Sequence, residues 1–249
     1  MRWLICLLLF LAGCAPSSEQ RDASSSAPAK DWSVRVDGRL VPVHVVQPKT
    51  PPPWPTAMLL HGSSGLGRGY LVWPVAYALA ARGVASAVVE YFDALPDQVG
   101  HKGAVQYFSV RERQLDAVVD GILAQSEVMG PQIGVYGYSL GGFHGLALAV
   151  TNPRVAAVVS LAGGLPRHVP LSRIERASPV LLVHGTRDKI VPFARAAETQ
   201  AAWRRHGRPV RLLALQDIGH VPRGADRAQL VEAAADFIAK ELFYRTALR

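Results

Sequence analysis

Residues 132–142 read Gln-Ile-Gly-Val-Tyr-Gly-Tyr-Ser-Leu-Gly-Gly. The stretch up to Tyr138 is short, largely apolar and rich in residues that favour a buried strand. Small and apolar residues then fill 140–150, among them Gly141, Gly142, Gly145, Ala147 and Ala149. Between the two, Gly137-Tyr138-Ser139-Leu140-Gly141 fits the pattern G-x-S-x-G in the strand–turn–helix setting that gives it chemical meaning. Side chains at the glycine positions would collide across so sharp a turn. The turn lifts the Ser139 hydroxyl above the end of a sheet, and the helix that follows aims its free N–H groups at the same place.

Working outward, strand-like and helix-like stretches alternate. Residues 34–36 and 40–46 flank Asp37-Gly38, a strong hairpin signal. Short apolar strands are expected at 56–60, 84–91, 155–161, 179–184 and 210–215. Helices are expected at 70–82, closed by Gly83, and at 110–128, 140–150, 192–206 and 226–243. In the last of these, Leu230, Ala234, Phe237, Ile238 and Leu242 recur at three- and four-residue spacing. Such alternation builds a mostly parallel, doubly wound α/β sheet covered on both faces, here with an antiparallel hairpin at its start. No internal repeat or second-domain boundary appears.

A serine hydroxyl needs a base, and the base needs an orienting acid. In strand–turn–serine–helix architectures these follow the serine in the order acid, then histidine. Asp188 lies just past strand 179–184, in His184-Gly185-Thr186-Arg187-Asp188, and His220 just past strand 210–215, in Asp217-Ile218-Gly219-His220. The loop after 155–161 holds no carboxylate, and Asp217, three residues from the histidine, is expected to shape that loop. Of the eight histidines, only His220 combines the right order with a loop at a strand's C-terminal end. His184 is read as structural, His61 as bracing its loop, and His144 as lining the pocket. The candidate catalytic residues are therefore Ser139, Asp188 and His220. Attack on a carbonyl also needs donors for the developing oxyanion. Leu140 offers one backbone N–H, and the loop His61-Gly62-Ser63-Ser64-Gly65 a second, from Ser63 or else Ser64.

The start of the chain reads as an address. Arg2 precedes an apolar stretch from Trp3 to Ala12, too short to span a bilayer, which takes about 20 residues. With small residues at its end it has the form of a secretory signal. Leu11-Ala12-Gly13-Cys14 resembles the lipobox of bacterial lipoproteins, which implies cleavage before Cys14 and lipid on that cysteine. Residues 1–13 are thus expected to be a signal peptide and 14–31 a lipidated cysteine with a Ser/Ala/Pro-rich tether. Residues 32–249 would form the folded domain, held at the periplasmic face of the cell envelope. Ala15, where an Asp would favour the inner membrane, points to the outer one.

Composition sets outer limits. With 49% hydrophobic and 18% charged residues in 249, the chain is not globally disordered, and two cysteines cannot make a disulfide scaffold. The net charge of +8 comes from 22 Arg and five Lys against 19 acidic residues, without a run of five like charges. Nucleic acid is not the expected partner. No Cys/His spacing suggests a metal, and no organic cofactor is called for.

Taken together, LLHGSSG (59–65), VVEYFDALP (88–96), IGVYGYSLGG (133–142), VLLVHGTRDKIVP (180–192) and IGHVP (218–222) resemble the α/β-hydrolase superfamily. The dienelactone hydrolase-like branch is the nearest match, from about Thr56 to Phe243. Founding members of that branch carry a cysteine nucleophile, whereas position 139 is serine. The resemblance therefore implies a carboxylesterase acting on an ester or lactone with a small or exposed acyl group. Acyl-CoA thioesterases and prolyl oligopeptidases share the same blocks and stand as alternatives, as does, in a different class, a non-catalytic envelope lipoprotein. No large cap is inserted; residues 92–109, with Tyr107 and Phe108, are expected to form one wall of the pocket.

Overall fold

The computed structural model describes residues 30–92 and 106–247. The expected signal peptide, Cys14, nearly all of the tether and most of the 92–109 connection lie outside them. Eight strands form one sheet: β1 (Lys30–Val36), β2 (Arg39–Val46), β3 (Thr56–Leu60), β4 (Ala85–Val89), β5 (Ile133–Tyr138), β6 (Val155–Leu161), β7 (Val180–Gly185) and β8 (Val210–Leu215). Their order across the sheet is β1-β2-β4-β3-β5-β6-β7-β8. The β1–β2 and β2–β4 pairs are antiparallel and every other pair is parallel.

The sequence pattern explains the layering. β3 to β7 are buried along their whole length, as short, mostly apolar runs covered on both faces must be. Helices α1 (Trp73–Ala80) and α5 (Gly224–Ala247) cover one face, with Leu79, Leu230 and Ile238 in its core. Helices α2 (Phe108–Leu123), α3 (Leu140–Thr151) and α4 (Ala194–Arg205) cover the other, with Leu115, Leu146 and Trp203 inside. Between β1 and β2, Asp37 and Gly38 both have positive φ, 49° and 79°, the geometry that a two-residue hairpin needs to match strand twist.

Several element boundaries differ from the expected ones. The strand begins at Lys30, two residues before Trp32, because Lys30 and Asp31 pair with Val45 and His44. A 3-10 turn, Leu66–Leu71, replaces the start of the helix expected at 70–82. The α-helix begins only at Trp73, where Pro74 fits the first turn because it has no N–H to satisfy there. The helix expected to reach residue 128 stops at Leu123. Beyond it, Trp54 donates its N–H to Glu127 O (2.8 Å) and accepts one from Met129 N (2.8 Å). A bridge to a distant strand segment thus claims the backbone that would have continued the helix.

Candidate active site

The C-terminal ends of β5, β7 and β8 carry the three candidate side chains to one place. Ser139 sits between β5 and α3 at φ 52°, ψ −113°, a left-handed backbone that costs a non-glycine residue about 1–3 kcal/mol. Its N–H donates to Leu161 O at 2.8 Å, which ties the turn to β6. The flanking glycines are there for lack of space. A Cβ on Gly137 would lie 2.1 Å from the Gly141 carbonyl oxygen, and one on Gly141 would lie 2.5 Å from the Leu60 carbonyl oxygen.

Asp188 follows β7 with its carboxylate shielded from solvent. One oxygen accepts the N–H groups of Ile190 (2.8 Å) and Val191 (2.9 Å). That leaves the other to accept Nδ1–H of His220 at 2.7 Å. The Ser139 hydroxyl lies 3.0 Å from His220 Nε2 and can donate to it. His220 itself is held because its loop lies across the end of β7, where a Cβ on Gly185 would be 2.3 Å from Ile218 O. Asp188 fixes the tautomer: with Nδ1 protonated, Nε2 is the acceptor facing the serine. So arranged, the three groups can draw a proton from Ser139 and return it to a leaving group.

Asp217 stays out of this group. It is exposed, pairs with Arg187 at 2.9 Å and takes the positive φ (58°) that turns the chain towards His220. Ser63 and Ser64 occupy a tight turn closed by Gly65 N–H donating to Gly62 O at 3.1 Å. Ser63 is half-buried and Ser64 exposed. A Cβ on Gly62 would be 3.4 Å from that of Ser139, so this turn begins directly beside the serine. Leu140 is the first residue of α3, where N–H groups have no partner inside the helix.

Three further residues support the site, and the sequence reading only partly found them. His184, read as structural, donates Nε2–H to Val191 O (2.9 Å), and the same nitrogen lies 3.3 Å from Asp188 Oδ2. It thereby pins the loop that presents the acid. Tyr91, which the sequence reading passed over, is buried and donates its hydroxyl to His61 O at 2.7 Å. The same carbonyl accepts Gly141 N–H at 3.2 Å, so Tyr91 fixes the carbonyl through which the 61–65 turn is tied to the serine helix. His61, the expected brace, donates Nδ1–H to Gly62 O (2.8 Å) and stacks on Tyr91 with ring centroids 4.2 Å apart. Burial holds its pKa down to about 4. Adjacent aromatic residues flanking a strand end were the available signal for Tyr91, but nothing local shows which carbonyl the hydroxyl reaches.

His144 corrects an expectation. Expected on the pocket wall, it is instead wholly buried, stacked on Phe108 at 4.0 Å and edge-on to Tyr91 at 5.7 Å. α3 packs tightly against β6 through Gly142 and Gly145, and His144, on the adjacent side of the helix, is covered by Phe108 and Tyr91. Among the described residues no group of three His, Cys, Asp or Glu side chains is placed to hold a metal. No helix among them is long and apolar enough to cross a membrane.

Residues 75–243 match the model of the Dienelactone hydrolase family. Over 141 residues the chain is 30% identical to 2,6-dihydropseudooxynicotine hydrolase of Paenarthrobacter nicotinovorans, a match covering 55% of this chain and 36% of that protein. The chain thus aligns with little more than a third of that relative's length. Among solved structures, a dienelactone hydrolase-like promiscuous phosphotriesterase from metagenomic libraries superposes with a TM-score of 0.74 at 21% identity. That match covers 87% of this chain and 99% of the other. The esterase domain of a Rhodothermus marinus protein gives 0.65 at 20% identity, covering 87% of this chain and 100% of the domain. At such identities these two likenesses show the α/β-hydrolase fold.

Proposed function

The chain belongs to the dienelactone hydrolase family, a family of hydrolases, and from that premise we propose that it is a serine hydrolase. Its substrate is a small molecule, and we assign to it a carboxylic ester or lactone with a small or exposed acyl group. One observation carries the reading: His220 stands between Asp188 and Ser139, 2.7 Å from one and 3.0 Å from the other.

The chemistry follows from that contact. Ser139 Oγ attacks the acyl carbon while its proton passes to His220 Nε2. Asp188 stays ionised, keeps the ring in the required tautomer and stabilises the imidazolium. The oxyanion is met by the backbone N–H of Leu140 and by that of Ser63, whose neighbour Gly62 abuts Ser139. The alcohol leaves with the proton from His220, and water then releases the acyl group by the same path in reverse. None of these steps draws on a cofactor.

The chain's organisation belongs to the same proposal: residues 1–13 as signal peptide, 14–29 as lipidated Cys14 and tether, and 30–249 as catalytic domain in the bacterial envelope, the domain beginning with the strand at Lys30. Leu11-Ala12-Gly13-Cys14 is the support for it. Incorporation of a palmitate analogue into the wild type, lost in Cys14→Ser, is the expected result; equal labelling of both would remove the anchor from the reading.

A fluorophosphonate probe tests the nucleophile. It should label the full chain and fail on Ser139→Ala; persistent labelling of the variant would overturn the assignment. Turnover of p-nitrophenyl esters should fall as the acyl chain lengthens. Turnover of an acyl-CoA alone, or of a proline peptide alone, would replace esterase with thioesterase or peptidase.

A further inference from the structure

The arginines look scattered along the sequence, yet one stretch carries most of the charge. Residues 163–211 hold ten Arg and Lys against three Asp and Glu, a surplus of seven beside the chain's net +8. Part of that surplus surrounds a groove of about 550 Å³ between α4 and the segment that follows β6. That volume is in the range that takes a small organic ligand. Ser139, Asp188 and His220 do not line it.

Floor and rim differ in character. Leu165, Val169 and Ala202 are buried beneath the groove, and Leu171 stands half in solvent at its edge. The polar groups along the floor are already matched. Thr199 Oγ accepts Leu165 N–H (2.9 Å) and donates to Arg195 O (2.8 Å), and Arg195 donates to Glu198 at 2.7 Å and to Leu165 O. Glu198, the one acidic residue lining the groove, is thereby neutralised. Arg167 and Arg205 are exposed and have no ion-pair partner among the described residues. Arg195 and Arg205 lie ten residues apart on one face of α4, about 15 Å along its axis. The groove is therefore elongated and apolar below, with two uncompensated guanidinium groups at its rim.

We propose that this groove binds a fatty carboxylate, its aliphatic tail on Leu165, Val169, Leu171 and Ala202 and its head drawn to the positive rim that Arg167 and Arg205 supply. Planar guanidinium groups match a carboxylate in shape as well as charge, and the apolar floor requires a tail that a small inorganic anion lacks. The site is independent of the hydrolytic chemistry assigned to Ser139.

Isothermal titration of the full chain with laurate, kept below its micelle-forming concentration, tests it. One equivalent should bind, and Arg167→Glu with Arg205→Glu should weaken the affinity at least tenfold while leaving the circular dichroism unchanged. Leu171→Asp, at the half-exposed edge, should weaken binding without altering any arginine, and so serves if the double variant fails to fold. Acetate should not bind, and neither should dodecyltrimethylammonium, which has the tail but the opposite charge. Laurate affinity unchanged in the variants, equal binding of the cationic amphiphile, or no saturable binding of laurate would each overturn the proposal.

Discussion

Replacing His144 with phenylalanine should make the protein markedly less sensitive to acid. His144 is fully buried, and neither ring nitrogen has a hydrogen-bond partner among the described residues. Burial first, then the charges of Arg111, His61 and His168, hold its pKa down to about 3, against about 6.5 in an unfolded chain. The unfolded state therefore takes up a proton at this position as pH falls below 6.5, while the folded state refuses it until about 3. Stability is thus present above the unfolded value and is lost as pH falls through this window. Linkage with these two values removes almost nothing at pH 7 and about 2 kcal/mol at pH 5, a large part of a domain's usual 5–15 kcal/mol. His61, held at about 4 by burial, loses about the same amount over that interval by the same relation. His44 works in the opposite direction: burial opposes its charge, but hydrogen bonds to Glu90 and Asp31 raise its pKa. Both remain in the variant, so they cancel in the comparison. Urea unfolding at pH 7 and pH 5, followed by tryptophan fluorescence, should show a drop about 2 kcal/mol smaller in His144→Phe than in the wild type. Any crowding by the larger ring shifts both pH values equally. Parallel pH dependence in the two proteins would refute the argument from burial.

Other expectations concern the site directly. Asp188→Asn keeps an acceptor for Ile190 and Val191 N–H but sets an amide against His220 Nδ1, so kcat on an activated ester should fall by about 10³–10⁴ with KM little changed. Gly137→Ala forces a Cβ to 2.1 Å from the Gly141 carbonyl oxygen; urea titration should show a loss of about 3 kcal/mol, and a stability equal to wild type would contradict the crowded turn. Tyr91→Phe removes the donor that holds the His61 carbonyl at the start of the 61–65 turn. It should lower stability by about 1 kcal/mol and reduce kcat rather than raise KM, because the 61–65 turn loosens while the serine is untouched.

Much of this protein is legible from local rules. A turn as tight as Gly137–Gly141 admits only small flanking residues, so the position of the serine is written in five letters. Asp37-Gly38 specifies a hairpin because both residues must adopt positive φ. Runs such as Val155–Leu161, apolar but for Ser160, announce a strand buried on both faces. These constraints act between near neighbours, and they suffice for the fold class and for the chain order of serine, acid and histidine.

Contacts between distant segments decided the rest. Ser139 and His220 are 81 residues apart, and only the parallel register of β5 to β8 brings their loops to one edge of the sheet. Trp54, more than 70 residues upstream, ends α2 at Leu123 by taking the backbone groups of Glu127 and Met129. His144 is buried because α2 brings Phe108 over it, and Tyr91 serves the site through a carbonyl 30 residues away. Sterics and hydrogen bonding within a turn depend on a few adjacent residues and can be read in order. Burial, and the side chains a given group meets, depend on how the layers pack, which no short stretch of sequence contains.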